Sequence, residues 1–155
     1  MVPSSSNSEY PLPAFYFKVI FAATAENDDT SFQEVSGISS EMETEDYIEG
    51  GENRFAHRLP KSVKHTRLVL KRGIAGMDSP LVSWCRDVLE GGFIKPIEAM
   101  TIEVRLMNEA GEPVRAWSFV NAFPVSWEVE GFHSTKNEVA IEKIELSYNY
   151  FERVA

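Results

Sequence analysis

Carboxylates at strand spacing are the residues of this chain best placed to do chemistry. Glu41, Glu43 and Glu45 recur at every second position, and so do Glu128 and Glu130. Two such sets facing each other across a cleft would supply the acid and the base of a hydrolase. Any solvated strand gives the same spacing, because alternate side chains of a strand share a face. The solvated face is therefore the better reading. The three histidines, His57, His65 and His133, stand at no metal-ligand spacing, and Cys85 has no companion for a Cys/His zinc site. Cys85 also falls in an apolar helical stripe, whereas reactive thiols need electropositive, partly exposed surroundings. Asn27-Asp28-Asp29 with Glu34 lacks the alternation, the central Gly and the terminal Glu of a calcium loop. Gly73-Ile74-Ala75-Gly76 lacks the Lys-Ser/Thr of a phosphate cradle, and no G-x-S-x-G elbow occurs. The reading is of a chain with no catalytic residue, no metal and no cofactor.

The elements that carry these residues belong to one domain. A chain of 155 residues buries roughly 68–70% of its unfolded surface, enough for a core without staples. Its 43% apolar and 25% charged content is that of a soluble globular protein. The lone cysteine forms no intramolecular disulfide and fits folding in a reducing cytoplasm. MVPSSSNSEY has neither a basic nor an apolar leader region, and no stretch reaches the ~20 apolar residues of a membrane span. A net charge of -9 argues against nucleic-acid binding. The charge is sorted into blocks: ten acidic and no basic residues from Glu26 to Glu52, then seven basic and no acidic residues from Asn53 to Arg72.

Residues 1–13, rich in Ser and Pro, read as a flexible arm, with a single folded domain over 14–155. Phe15, Phe17, Val19 and Phe21 alternate with polar and smaller residues in a first strand. Thr24 to Thr30 reads as an acidic loop, Ser31 to Val35 as a second strand, and Ser40 to Ile48 as a third with no apolar face. Gly50-Gly51 opens a loop that Leu59-Pro60 closes, before a fourth strand through Thr66, Leu68 and Leu70. Ser79 as N-cap and Pro80 at the first helical position start a helix whose stripe is Leu81, Trp84, Cys85, Val88 and Leu89, ended by Gly91 and Gly92. A hairpin turning at 108–113 joins the Ile102, Val104, Leu106 strand to Val114–Asn121. Pro124 interrupts before Ser126 to Glu130. The last strand changes apolar phase between Ile141 and Ile144, which predicts a bulge or a passage between sheets. The tryptophans Trp84, Trp117 and Trp127 read as core anchors. The fold class is mainly β: an antiparallel two-sheet sandwich or barrel, one flanking α-helix and a long extended hairpin.

Six segments, in order, resemble one family: YPLPAFYF at 10–17, SFQEVSGI at 31–38, YIEGGEN at 47–53, LVLKRG at 68–73, NEAGEPVRAWSFVNAFPVSW at 108–127 and NEVAIEKIELSY at 137–148. Together they are similar to the phage tail tube family, the inner-tube subunits of contractile injection systems. The resemblance implies a structural, ring-forming subunit, with six copies closing a barrel of inward strands and rings stacking head to tail. It implies as partners further copies of the chain, a sheath, baseplate or initiator and cap proteins, and a protein cargo in the channel. It also implies assembly in the bacterial cytoplasm into a particle that is then extracellular or membrane-anchored. The Ser-rich arm and the acidic stretch 25–29 depart from the family pattern.

On that basis Glu41, Glu43, Glu45, Glu128 and Glu130, with no basic neighbour expected in register, should face the lumen and make it acidic. Ile48, Phe55 and Leu59 should form the apolar part of a ring or stacking interface, with Arg54, Arg58 and Lys61 meeting the acidic block of a neighbour. The alternatives are a tube-initiator paralogue of the same family, a β-sandwich binding module and a hydrolase.

Overall fold

Alternation of apolar side chains sets the first strand, β1 (Tyr16–Phe21), whose Val19 and Phe21 are buried. The computed structural model describes residues 15–21, 28–47, 57–73, 78–92, 96–130 and 140–155. The predicted arm at 1–13, the loop glycines Gly50 and Gly51, and Ile48, Arg54, Phe55, His133 and Val139 lie outside the described residues. Along the described chain follow β2 (Asp28–Phe32), β3 (Glu34–Ser36), β4 (Glu41–Tyr47), β5 (His57–Lys64), β6 (Leu68–Gly73), α1 (Pro80–Leu89), β7 (Met100–Met107), β8 (Pro113–Glu130), β9 (Ile141–Ser147) and β10 (Tyr150–Arg153).

The main sheet runs β2-β1-β7-β8-β9-β6-β3, all antiparallel, and β10 continues the line of β9 along β8. Strand β8 belongs to two layers. Its first half pairs with β7 and β10, its second half with β9. The chain folds over there, so that β1 and β7 pack their apolar faces against those of β6 and β9. Phe32, Leu68, Leu70, Ile102, Phe119, Ile144 and Leu146 are fully buried in the shared core, each worth roughly 1.5–3 kcal/mol on burial. The predicted two-sheet sandwich with one helix and an extended hairpin is the fold observed.

Several local readings change. Residues 28–30 of the loop expected at 24–30 are strand, and with the single strand expected at 31–35 they make two strands separated by Gln33; 24–27 lie outside the described residues. β2 pairs with β1 and β3 with β6, so the nine residues 28–36 tie together the two ends of the sheet path. The Gln33 N–H donates to the Lys71 carbonyl at 2.9 Å where the chain crosses. Leu59-Pro60 does not close a loop; both sit within β5, opposite Glu45 and Thr44. Proline is tolerated because β5 is an edge strand, and the register slips beside it, between Met42 and Thr44.

Nor does Pro124 interrupt β8, which runs 18 residues. A register shift between Pro124 and Ser126 absorbs the ring, and a second between Met100 and Ile102 places Asn121 at φ 53, a left-handed conformation that Asn adopts more readily than most residues. In β9 there is no phase switch. Glu142, Ile144 and Leu146 form one buried face, and the apparent break arises because a carboxylate occupies a core position.

The helix has the predicted cap: Ser79 Oγ accepts from the Val82 N–H at 3.3 Å, and Pro80 opens the first turn. Leu81, Trp84 and Cys85 are buried and Val88 half-buried, but Leu89 is 41% exposed and so lies beyond the packed stripe. Of the three tryptophans Trp84 is a core anchor, edge-on to Phe21 at 5.7 Å. Trp127 is not, at 39% exposed.

Gly37, at φ +87, turns the chain out of β3 toward β4, and a Cβ there would lie 1.9 Å from the Arg67 carbonyl oxygen. Gly37→Ala is therefore expected to cost about 1–3 kcal/mol and to loosen the β3–β6 pairing. Denaturant titration with amide exchange at Val35 and Ser36 checks this.

Candidate assembly surfaces

The sequence-predicted carboxylates lie in two separate places. Glu41, Glu43 and Glu45 are on β4, which among the described residues pairs only with β5, in a two-stranded sheet projecting from the sandwich as an arm. Glu128 and Glu130 are on the second half of β8. Nothing among the described residues brings the two sets across a cleft from each other, and all five are exposed or only partly covered strand-surface groups. The premise that none has a basic neighbour in register does not hold. Glu41 stands opposite Lys64, and Glu43 is ion-paired to Lys64. Glu128 stands opposite Lys143 at 3.9 Å, and Glu130 reaches Lys71 at 3.2 Å.

Arm β4–β5 is built on a fixed base. Ser39 Oγ and Thr66 Oγ1 are 2.8 Å apart, Thr66 Oγ1 donates to the Gly37 carbonyl at 3.1 Å, and the His65 Nδ1–H donates to the Ser39 carbonyl at 2.9 Å. The His65 ring lies against Tyr148 and Phe151, both centroids at 5.4 Å. Tyr148 donates its hydroxyl to the same Gly37 carbonyl, and burial pushes the ionisation of that hydroxyl up. Beyond the base every residue of β5 is exposed. Met42 and Val63 form a cross-strand pair on one face, 56% and 51% exposed; Tyr47 and Leu59 lie on the other, 53% and 48% exposed. A two-stranded ribbon of this kind is marginal by itself in water.

Of the predicted interface residues, Arg58, Leu59 and Lys61 are on this arm and exposed. Arg58 faces Asp46 at 3.8 Å, so the acidic and basic blocks do partly meet within one hairpin. Hydrogen bonding to Lys64, and then to Ser62, holds the Glu43 carboxyl below its usual range, and the same bond holds Lys64 above its own. That exposed pair is complete at neutral pH and is lost as acid protonates Glu43.

One cluster was not anticipated from sequence. Arg72 and Glu142 are 4% and 1% exposed and ion-paired at 3.0 Å. The Arg72 guanidinium also donates to Ser79 Oγ at 2.8 Å and lies 4.4 Å from the centroid of the Phe32 ring. Trp127 Nε1 donates to the second Glu142 oxygen at 2.6 Å. The one available signal was the phase break in β9, which marks Glu142 as an acid at an apolar position. Because Ser79 serves both the helix cap and Arg72, Ser79→Ala is expected to cost about 1–2 kcal/mol and to fray the first turn of α1. Thermal unfolding followed by helical circular dichroism reads this out.

Residues 13–152 match the model of the T4-like virus tail tube protein gp19. The chain belongs to that tail tube family. It is thus a structural tube subunit and not an enzyme, as the sequence resemblance implied. Similar solved chains agree over nearly the whole length. One stands in the sixfold-symmetrised baseplate of the anti-feeding prophage, with 29% identity, TM-score 0.72, and 94% of this chain and 98% of that chain covered. Another stands in the sheath–tube complex of PVC, an extracellular contractile injection system in its extended state, with 26% identity, TM-score 0.73, and 100% and 99% covered. Hcp1 from Salmonella typhimurium shares the fold at 12% identity and TM-score 0.57, covering 91% of this chain and 86% of that chain. No curated protein sequence matches. For a tail tube subunit the features of interest are its uncovered edges and faces. The second half of β8 pairs with β9 on one side, while β7 stops opposite Ala122 on the other. Among the described residues β3 likewise pairs only with β6. Among the described residues the four-stranded layer β3-β6-β9-β8 therefore has an unpaired edge at each end.

Proposed function

We propose that the chain is the inner-tube subunit of an extracellular contractile injection system, closing as six copies into a ring and stacking ring upon ring. The observation that carries this reading is the layer β3-β6-β9-β8, polar on its outer face and, among the described residues, unpaired at both edges. Joined edge to edge, the second half of β8 in one copy meets β3 of the next, and closure leaves neither edge of this layer exposed. The outer face of that layer, with Glu128 and Glu130, then lines the channel. The helix lies on the opposite side of the core, toward the sheath. Arm β4–β5 covers its apolar groups against a neighbouring copy, Ile48, Arg54 and Phe55 join the same interface, and Glu41, Glu43 and Glu45 go with the arm into that contact. Residues 1–13 remain an arm outside the single tail-tube domain. Assembly takes place in the bacterial cytoplasm, with sheath, baseplate and cap proteins as partners and a protein cargo in the channel.

A second reading, a baseplate-proximal tube initiator, is favoured by the match to a chain in a baseplate. Native mass spectrometry separates them: the repeating subunit gives hexamers and their multiples, the initiator single hexamers that do not grow. A strictly monomeric species at high concentration, with no polymer on added baseplate, rules out both.

A further inference from the structure

The outer face of the β3-β6-β9-β8 layer carries its charges in rows. Glu34, Lys71, Lys143 and Glu128 are register partners across the four strands, so one row reads acid, base, base, acid. The neighbouring side chains complete the neutralisation. Lys71 pairs with Glu130 at 3.2 Å, Lys143 lies 3.8 Å from Glu145, and Arg67, just before β6, pairs with Glu145 at 3.2 Å. Among the described residues four carboxylates thus face three cations, on a chain whose net charge is -9. The deficit of this surface is one charge. The lysines occupy the middle of the layer and are largely covered, while Glu34 and Glu128 occupy its edges.

We infer that the channel wall is neutralised to within one charge per copy, and that it passes polypeptide cargo of either sign of charge without binding it. This rests on the reading of the layer as channel wall. In a closed ring, edge-to-edge joining sets Glu128 of one copy beside Glu34 of the next. In that row two acidic positions then alternate with two basic ones around the lumen, with a period of about 19 Å for four strands. The field of so fine an alternation dies away within a few ångströms of the wall, well inside the ~8 Å Debye length of physiological salt. A uniformly acidic wall would hold the cationic segments of a passing polypeptide, and a basic wall the anionic ones. Balance is the condition under which a chain carrying both signs slides freely.

The test is entrapment. Tubes of the full chain are assembled at low salt with fluorescent Gly/Ser peptides carrying Lys, Glu or neither, then washed, and the trapped dye is counted per tube length by microscopy. Wild-type tubes are expected to take up all three within about twofold of one another. Lys71→Glu with Lys143→Glu should favour the cationic over the anionic peptide by about tenfold. Glu128→Gln with Glu130→Gln, available should the first pair fail to assemble, should favour the anionic one. Wild-type tubes that sort the peptides by sign would overturn the inference while leaving the channel assignment intact. Indifference of the wild type and of whichever variant assembles would show that this face does not line the channel, and would remove the inference together with its premise.

Discussion

Replacing Glu142 with alanine is expected to cost the folded chain about 3–5 kcal/mol, the largest loss foreseen for any single substitution here. The carboxylate is 1% exposed and is the ion-pair partner of a guanidinium that is itself 4% exposed. Its removal takes from that guanidinium the carboxylate it meets at 3.0 Å, and deprives the Trp127 indole N–H of its acceptor. Breaking the pair from one side is thus far worse than replacing both members. Arg72→Met combined with Glu142→Leu should recover most of the loss, because two apolar groups of similar volume need no desolvation of charge. Urea titration of the unassembled chain, run as a double-mutant cycle, measures the coupling. A single-variant loss below about 1 kcal/mol would mean that water reaches the cluster and that Glu142 is not the buried partner described.

The largest effect on assembly is expected from the arm. Met42→Ser, Leu59→Ser and Val63→Ser together remove apolar surface from both faces of β4–β5, at positions 48–56% exposed within one chain. The isolated chain should lose no more than about 0.5 kcal/mol, as for ordinary surface changes, while ring and tube formation should fail. Reversal of Arg54, Arg58 and Lys61 to Glu should also block growth, and raised salt should slow it. That effect is the smaller of the two. Arg58 already faces Asp46, and Lys64 already satisfies Glu43, so only part of the charge remains for a neighbour, and exposed pairs contribute about 0–1 kcal/mol each. Sedimentation of assembled material against total protein distinguishes the two variants. Tubes that form normally from the triple serine variant would place the assembly contacts elsewhere.

The parts of the fold that were legible in the sequence are those with a regular period or a capping residue. The β1 and β7 alternations, the Ser79-Pro80 helix start and the turn at Asn108, whose Oδ1 accepts from the Ala110 and Glu112 N–H groups, could all be read directly. Proline misled twice, at Pro60 and Pro124, because each sits where the ladder already slips. Glu142 misled because a strand pattern assigns acids to solvent, and its partner Arg72 is 70 residues away. The surface carboxylates were placed on strands correctly but judged without partners, since cross-strand neighbours such as Lys143 and Lys71 depend on a topology that no local pattern encodes. β10 was missed for the same reason: Tyr150–Arg153 is short and gains its partner only by following β9 along the length of β8.

Electron microscopy of the purified chain, alone and with baseplate components added, tests the central claim most directly. The account predicts hexameric rings that stack into hollow tubes, with the β3-β6-β9-β8 layer facing the bore and the arm engaged with a neighbouring copy. A chain that stays monomeric under all of these conditions, or that forms rings with the helix facing the bore, would contradict it.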